Sequence, residues 1–134
     1  VKELLHGRAW ATYLGALEHE KICAGLSAAQ VVINSSLSEG GMSNAVLEAM
    51  SKGVPVLASD IEGNRSVIAD GEDGFLFASA GEFLAKADRL LDDPALRAVM
   101  GNRARMRIAA HFRLEGEIDR YLALYRSLVT APGG

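Results

Sequence analysis

One cysteine in 134 residues, Cys23, excludes an internal disulfide. A lone thiol fits a reducing cytoplasm better than a secretory compartment, where cysteines pair. Long apolar runs are missing as well, so no segment is expected to span a bilayer. The opening "VKELLHGRAW" has neither the apolar core nor the small-residue cleavage site of a secretory leader, and none is expected. Positive charge is not in excess: 14 Lys and Arg face 17 Asp and Glu, a net −3. That balance argues against a nucleic-acid groove or an anionic membrane as partner. Only the stretch "ALRAVMGNRARMRIAAHFR" gathers arginines locally. Aromatics make up 6%, and Trp10, Tyr13, Tyr121 and Tyr125 have packing spacings, with no sign of a base-stacking platform.

What is present is a globular composition, 49% hydrophobic and 23% charged, on a chain long enough for one core and too short for two. Strand-like and helix-like patterns alternate. "ATYLG" (Ala11–Gly15) reads as a strand, followed by a helix from Glu18 to Ala28. "QVVIN" (Gln30–Asn34) is almost continuously apolar, as for a strand buried on both faces. A helix over Met42–Lys52 ends at Gly53, in the usual stop position. A strand at Pro55–Ser59, a short helix from Asn64 to Ala69 and a strand at Gly74–Phe77 come next. Three helices close the chain, over Ala80–Asp92, Pro94–Ala110 and Arg113–Val129; Pro94 suits a first turn, where its missing N–H costs nothing. Such alternation predicts an α/β fold, a Rossmann-like parallel sheet with flanking helices. "VKELLHGRA" reads as the end of a helix, so 1–134 is expected to be a single domain lacking its first elements.

The segment "SEGGMSNAVLEAM" (Ser38–Met50) lies between a strand and a helix, where open α/β sheets bind ligands. Gly40 and Gly41 let backbone take unusual dihedrals and approach a ligand closely. The N–H groups of Met42, Ser43 and Asn44 are expected at the positive helix end, an anion site for a phosphate or diphosphate. Ser43 or Asn44 is alternatively a cap for that end. At about 100° per residue, Glu48 shares an arc with Asn44, Ser51 and Lys52. It therefore faces either a cleft or solvent, where an i,i+4 pair with Lys52 is worth roughly 0.2–0.5 kcal/mol.

Other motifs weigh less. "HEKIC" (His19–Cys23) nearly copies the zinc motif H-E-x-x-H but ends in Cys, with no further His nearby, so no metal is expected. Cys23, among apolar neighbours, is expected in the core. Asp60, at a strand end, lacks the second acidic group of a phosphoacceptor site. His6 and His111 are isolated.

The run "VVINSSLSEGGMSNAVLEAMSKGVPVLASDIEGNRSVIADGEDGFLF" resembles the donor-binding domain of retaining glycosyltransferases with the GT-B fold, family 4, related to glycogen and sucrose synthases. The similarity extends from about Tyr13 to Leu128, and its central block is the specific part. The resemblance implies that Glu48 hydrogen-bonds the ribose of a nucleotide-diphosphate sugar. It implies that Glu39 contacts the donor sugar near the reacting carbon. Loop amides from Gly40 and Gly41 through Met42 and Ser43 to Asn44 would hold sugar and diphosphate. Family members place seven residues between the two glutamates; here there are eight, so Gly40–Gly41 either bulges or displaces Glu39. The family's diphosphate-binding Arg and Lys, and its N-terminal acceptor domain, belong to elements preceding this sequence. No metal and no cofactor is implied beyond the donor itself. A homodimer, a GT-B sugar-nucleotide epimerase and a non-catalytic nucleotide- or protein-binding module remain open readings.

Overall fold

The computed structural model describes residues 7–38, 40–112, 122, 125 and 126. In chain order the elements are α1 (His19–Ala28), β1 (Val32–Asn34), α2 (Asn44–Ser51), β2 (Val56–Ser59), α3 (Glu62–Arg65), β3 (Phe75–Phe77), α4 (Ala80–Asp92) and α5 (Pro94–His111). The strands form one parallel sheet in the order β1-β2-β3. Ile33 stands beside Leu57, and Leu57 beside Phe75.

Alternation along the strands divides the core between the two faces of the sheet. Val56, Ala58 and Leu76 join Val46, Ala49 and Met50 of α2 and Ala104 of α5 on one face. Leu57 and Phe75 meet Leu90 of α4 and Met100 of α5 on the other. Helices thus cover both sides of β2 and β3, as a parallel sheet requires. β1 departs from the expectation. Its residues are only partly buried, and Ile33, on the Leu57 face, is 55% exposed. The apolar run reflects an edge strand with one face uncovered.

Two further expectations are corrected. Ala11–Gly15 forms no strand: it joins no ladder, Tyr13 and Leu14 are more than half exposed, and Gly15 turns the chain at φ +70°. The short helix expected at Asn64–Ala69 lies earlier, over Glu62–Arg65, and closes in a turn where Val67 and Ile68 both donate to Asn64 O and enter the core. The stretches 1–6 and 113–121, with the expected helix ends there, lie outside the described residues.

Helix ends follow local chemistry. Ser79 caps α4 by accepting from Glu82 N–H at 3.2 Å, while the Glu82 carboxylate accepts from Ala78 N–H at 3.0 Å. Asp93 caps α5 through Leu96 N–H at 2.9 Å, with Pro94 in the first turn. α2 closes at its other end: Gly53, at φ +74°, donates to Met50 O, and Val54 donates to Ala49 O. That pair of bonds is a Schellman stop. The turn after α2 rests on α5 where Gly101 faces Gly53; a Cβ on Gly101 would overlap the Gly53 carbonyl oxygen. None of the described helices is long and apolar enough to cross a membrane.

Candidate functional site

The site grows from the carboxyl end of β1. Asn34, its last residue, turns its amide toward the loop and donates to Ser43 Oγ at 3.0 Å, while its Oδ1 accepts from Ser36 N–H at 3.1 Å. Ser43 is buried and stands at the N-cap position of α2, yet its side chain caps nothing. The hydroxyl is committed to Asn34. The alternative of Ser43 as a capping side chain therefore fails.

Consequently the positive end of α2 keeps free donors. Leu47 N–H makes the first intrahelical bond, to Ser43 O at 3.0 Å. The amides without an intrahelical partner are then those of Ser43, Asn44, Ala45 and Val46, of which only Asn44 and Ala45 belong to exposed residues. Of the expected donors, Ser43 and Asn44 stand at the helix start and Met42 precedes it. Gly40 and Gly41 precede the helix, and Gly41 departs from expectation in having no positive φ. Both are exposed with open space around them, so their contribution is room for a ligand to approach the backbone. Glu39 lies outside the described residues.

Asn64 of α3 supports the loop from below. Fully buried, it donates to Ser59 O at 2.9 Å and lies 3.5 Å from Asn34 Oδ1. Its own Oδ1 is buried without a donor. Ser59 Oγ bonds Ser36 O, tying the ends of β1 and β2 together. Sequence reading missed this network; its signal was the polar residues ending both strands, Asn34 and Ser59.

Glu48 projects from α2 toward α1, not back along its own helix. Its Oε1 lies 3.8 Å from His19 Nδ1, and its side chain is 32% exposed. His19, and not Lys52, stands within 4 Å of the Glu48 carboxylate, which lies part-exposed between α1 and α2. Cys23 is half-buried beside His19, with Sγ 3.5 Å from Nε2, and α1 sends no residue fully into the core. Asp60, at the end of β2, is held by Arg65 Nε at 2.6 Å, and that hydrogen bond keeps its carboxyl below the usual range. Away from the loop, burial pushes the Asp73 carboxyl up, opposed by Ala69 N–H at 2.8 Å and by Arg107 at 3.5 Å.

Comparison with known proteins gives consistent results. Residues 1–93 match the family model described as Glycosyl transferases group 1. The chain is 41% identical over 97 residues to "Glycosyltransferase 1 domain-containing protein 1" of Xenopus tropicalis, covering 72% of this chain and 28% of that protein. Among solved structures it is similar to sucrose-phosphate synthase from Thermosynechococcus elongatus, with TM-score 0.83 and 32% identity over 90% of this chain and 31% of that one. The fold also matches Anabaena HepE in complex with UDP-glucose, with TM-score 0.76 and 20% identity over 90% of this chain and 33% of that one. The chain thus spans about three-tenths of the length of each of these three proteins.

Proposed function

The chain belongs to the glycosyl transferases of group 1, and on that footing we propose that it forms the donor-binding part of a retaining GT-B glycosyltransferase. Its substrate is a nucleotide-diphosphate sugar. The observation that carries this reading is the uncapped start of α2, open above β1, with Glu48 one turn along the same helix.

The exposed Asn44 and Ala45 amides donate to the diphosphate, where the helix dipole adds about 0.3–1 kcal/mol. Glu48 accepts from the ribose hydroxyls, and its partial exposure keeps it available for both. Glu39, with the exposed loop of Gly40, Gly41 and Met42, faces the donor sugar near the carbon that reacts. HepE, which shares the fold, is described with UDP-glucose, in keeping with this donor class. No metal is assigned to the transfer itself. The acceptor is selected by a domain the 134 residues do not supply, and the diphosphate cations come from earlier elements of the family's domain. Such cations stabilise charge on the leaving group, commonly the largest single contribution to catalysis. The chain alone therefore binds donor weakly and does not turn over; a robust transfer rate from it would refute this.

Titration of UDP- and GDP-sugars against the chain and against Glu48→Gln tests the assignment. Loss of a charge-assisted hydrogen bond corresponds to roughly 1.5–3 kcal/mol, or about a ten- to hundredfold weaker Kd. Binding unchanged by Glu48→Gln would remove Glu48 from the ribose.

A further inference from the structure

Sequence reading set "HEKIC" aside for want of a third ligand, but the fold brings one from 25 residues beyond Cys23 (48 − 23). His19 and Cys23 stand one turn apart on α1, with Nε2 and Sγ 3.5 Å from each other. Glu48 reaches them from α2, 3.8 Å from His19 Nδ1. One donor atom from each of the three lies within 4.8 Å of the other two.

Those separations fit a metal. Zinc bonds of about 2.3 Å to sulfur and about 2.0–2.1 Å to nitrogen or oxygen, arranged tetrahedrally, place ligand atoms roughly 3.3–3.6 Å apart. The His19–Cys23 pair already stands at such a distance. The closest approaches use different ring nitrogens, Nε2 toward Cys23 and Nδ1 toward Glu48, so binding one ion takes a rotamer change of the exposed His19 as well as of the part-exposed Glu48. Thiolate, imidazole and carboxylate together suit a borderline-soft divalent ion; Mg²⁺ and Ca²⁺ prefer oxygen alone. The His19 side chain is 71% exposed, so the ion enters from solvent and water fills the fourth position.

We propose that His19, Cys23 and Glu48 bind Zn²⁺ or a similar transition-metal ion, and that this ion and the nucleotide exclude each other by competing for Glu48. The exclusion rests on the ribose assignment above; the metal site does not. On binding, Cys23 enters as the thiolate and its proton passes to solvent. Linkage requires that zinc weaken nucleotide binding by the same factor as nucleotide weakens zinc binding.

The test is titration of the full chain with Co²⁺, read by the thiolate-to-cobalt absorption band, and then displacement by Zn²⁺. The expected result is one ion per chain, with affinity reduced by more than about tenfold in each of His19→Ala, Cys23→Ser and Glu48→Gln, and no band in Cys23→Ser. UDP and GDP titrated with and without zinc then report the competition. His19→Ala removes the zinc effect while leaving nucleotide affinity in place, which separates this site from zinc held by the diphosphate. Absence of a one-to-one site, or zinc affinity indifferent to His19→Ala and Cys23→Ser, overturns the proposal. Zinc binding that needs all three residues, with nucleotide binding insensitive to both zinc and Glu48→Gln, upholds the metal site and refutes the ribose role. Nucleotide binding that needs Glu48 in a chain with no zinc site does the reverse.

Discussion

Gly101→Ala is expected to unseat α2 from α5 and so to cost both stability and donor binding. The added Cβ would overlap Gly53 O and lie 2.9 Å from Gly53 C and 3.5 Å from Pro55 Cδ. Gly53 belongs to backbone closed by its own hydrogen bonds to Met50, so no rotamer change relieves the contact. Overpacking of this kind costs about 1–3 kcal/mol, with rigid backbone at the upper end. Alanine returns up to about 1 kcal/mol through helix propensity. The net is a loss of about 2 kcal/mol, equivalent to roughly 5–10 °C in Tm for a chain of this size. Gly81→Ala in the first turn of α4 is the control, because its nearest contact is Ser79 Oγ at 4.0 Å and no Cβ clash arises. Paired thermal melts, with UDP- and GDP-sugar titration of both variants, measure the effect. A Gly101→Ala protein melting at or above the parent, with Gly81→Ala also unharmed, would show that the two backbones do not meet as described.

Asn64→Ala removes the buried donor to Ser59 O and should cost about 1–3 kcal/mol in urea denaturation; a neutral result would show that the network under the loop is dispensable. Burial raises the Asp73 carboxyl above 3.8 in the folded state, so the native protein holds more protons than the unfolded chain between 3.8 and that raised value, and stability rises as pH falls through this window. Asp73→Asn keeps an acceptor for Ala69 N–H and removes that rise; parallel melts between pH 7 and pH 4 should show the parent gaining on the variant as acid is added. The sign reverses at Asp60, whose lowered carboxyl contributes stability present above its ordinary value and lost as pH falls through the folded one. Arg65→Ala should abolish that acid-side loss, read in melts extended below pH 3.8, where the loss falls.

Much of the architecture was legible because its physics is local. "PVLAS" and "GFLF" read as buried strands, and β2 and β3 are covered on both faces. The α4 boundaries follow from Ser79 and Glu82, two side chains that satisfy backbone donors within four residues. Errors arose where the outcome depends on what lies across the fold. Ile33 looks like a core residue in its pentapeptide, but burial needs a helix over that face, and none of the described helices provides one. Val67 and Ile68 fit a helical period, yet they reach the core from the turn that closes α3, where both donate to Asn64 O. In the site, the placement of the glycine loop was evident, but the helix begins at Asn44 and not at Met42. The difference came from Asn34 engaging Ser43, nine positions away. The partner of Glu48 was hidden for the same reason: an i,i+4 rule points to Lys52, whereas packing of α1 against α2 presents His19.

The two halves of α2 explain why function gathers at one end of it. Val46, Ala49 and Met50 are fully buried, and the Schellman stop with Gly53 against Gly101 closes the C-terminal end. That end therefore fixes the direction of the axis. The N-terminal end has no side-chain cap, an exposed pair of glycines before it, and a serine hydroxyl turned away toward Asn34. A helix anchored at both ends would leave no donors for a ligand, and one loose at both would not aim them. Glu48 sits at the boundary, rigid in its backbone and part-exposed in its side chain. One carboxylate can thus be offered to a ribose or to an ion beside His19 without moving the helix that carries it.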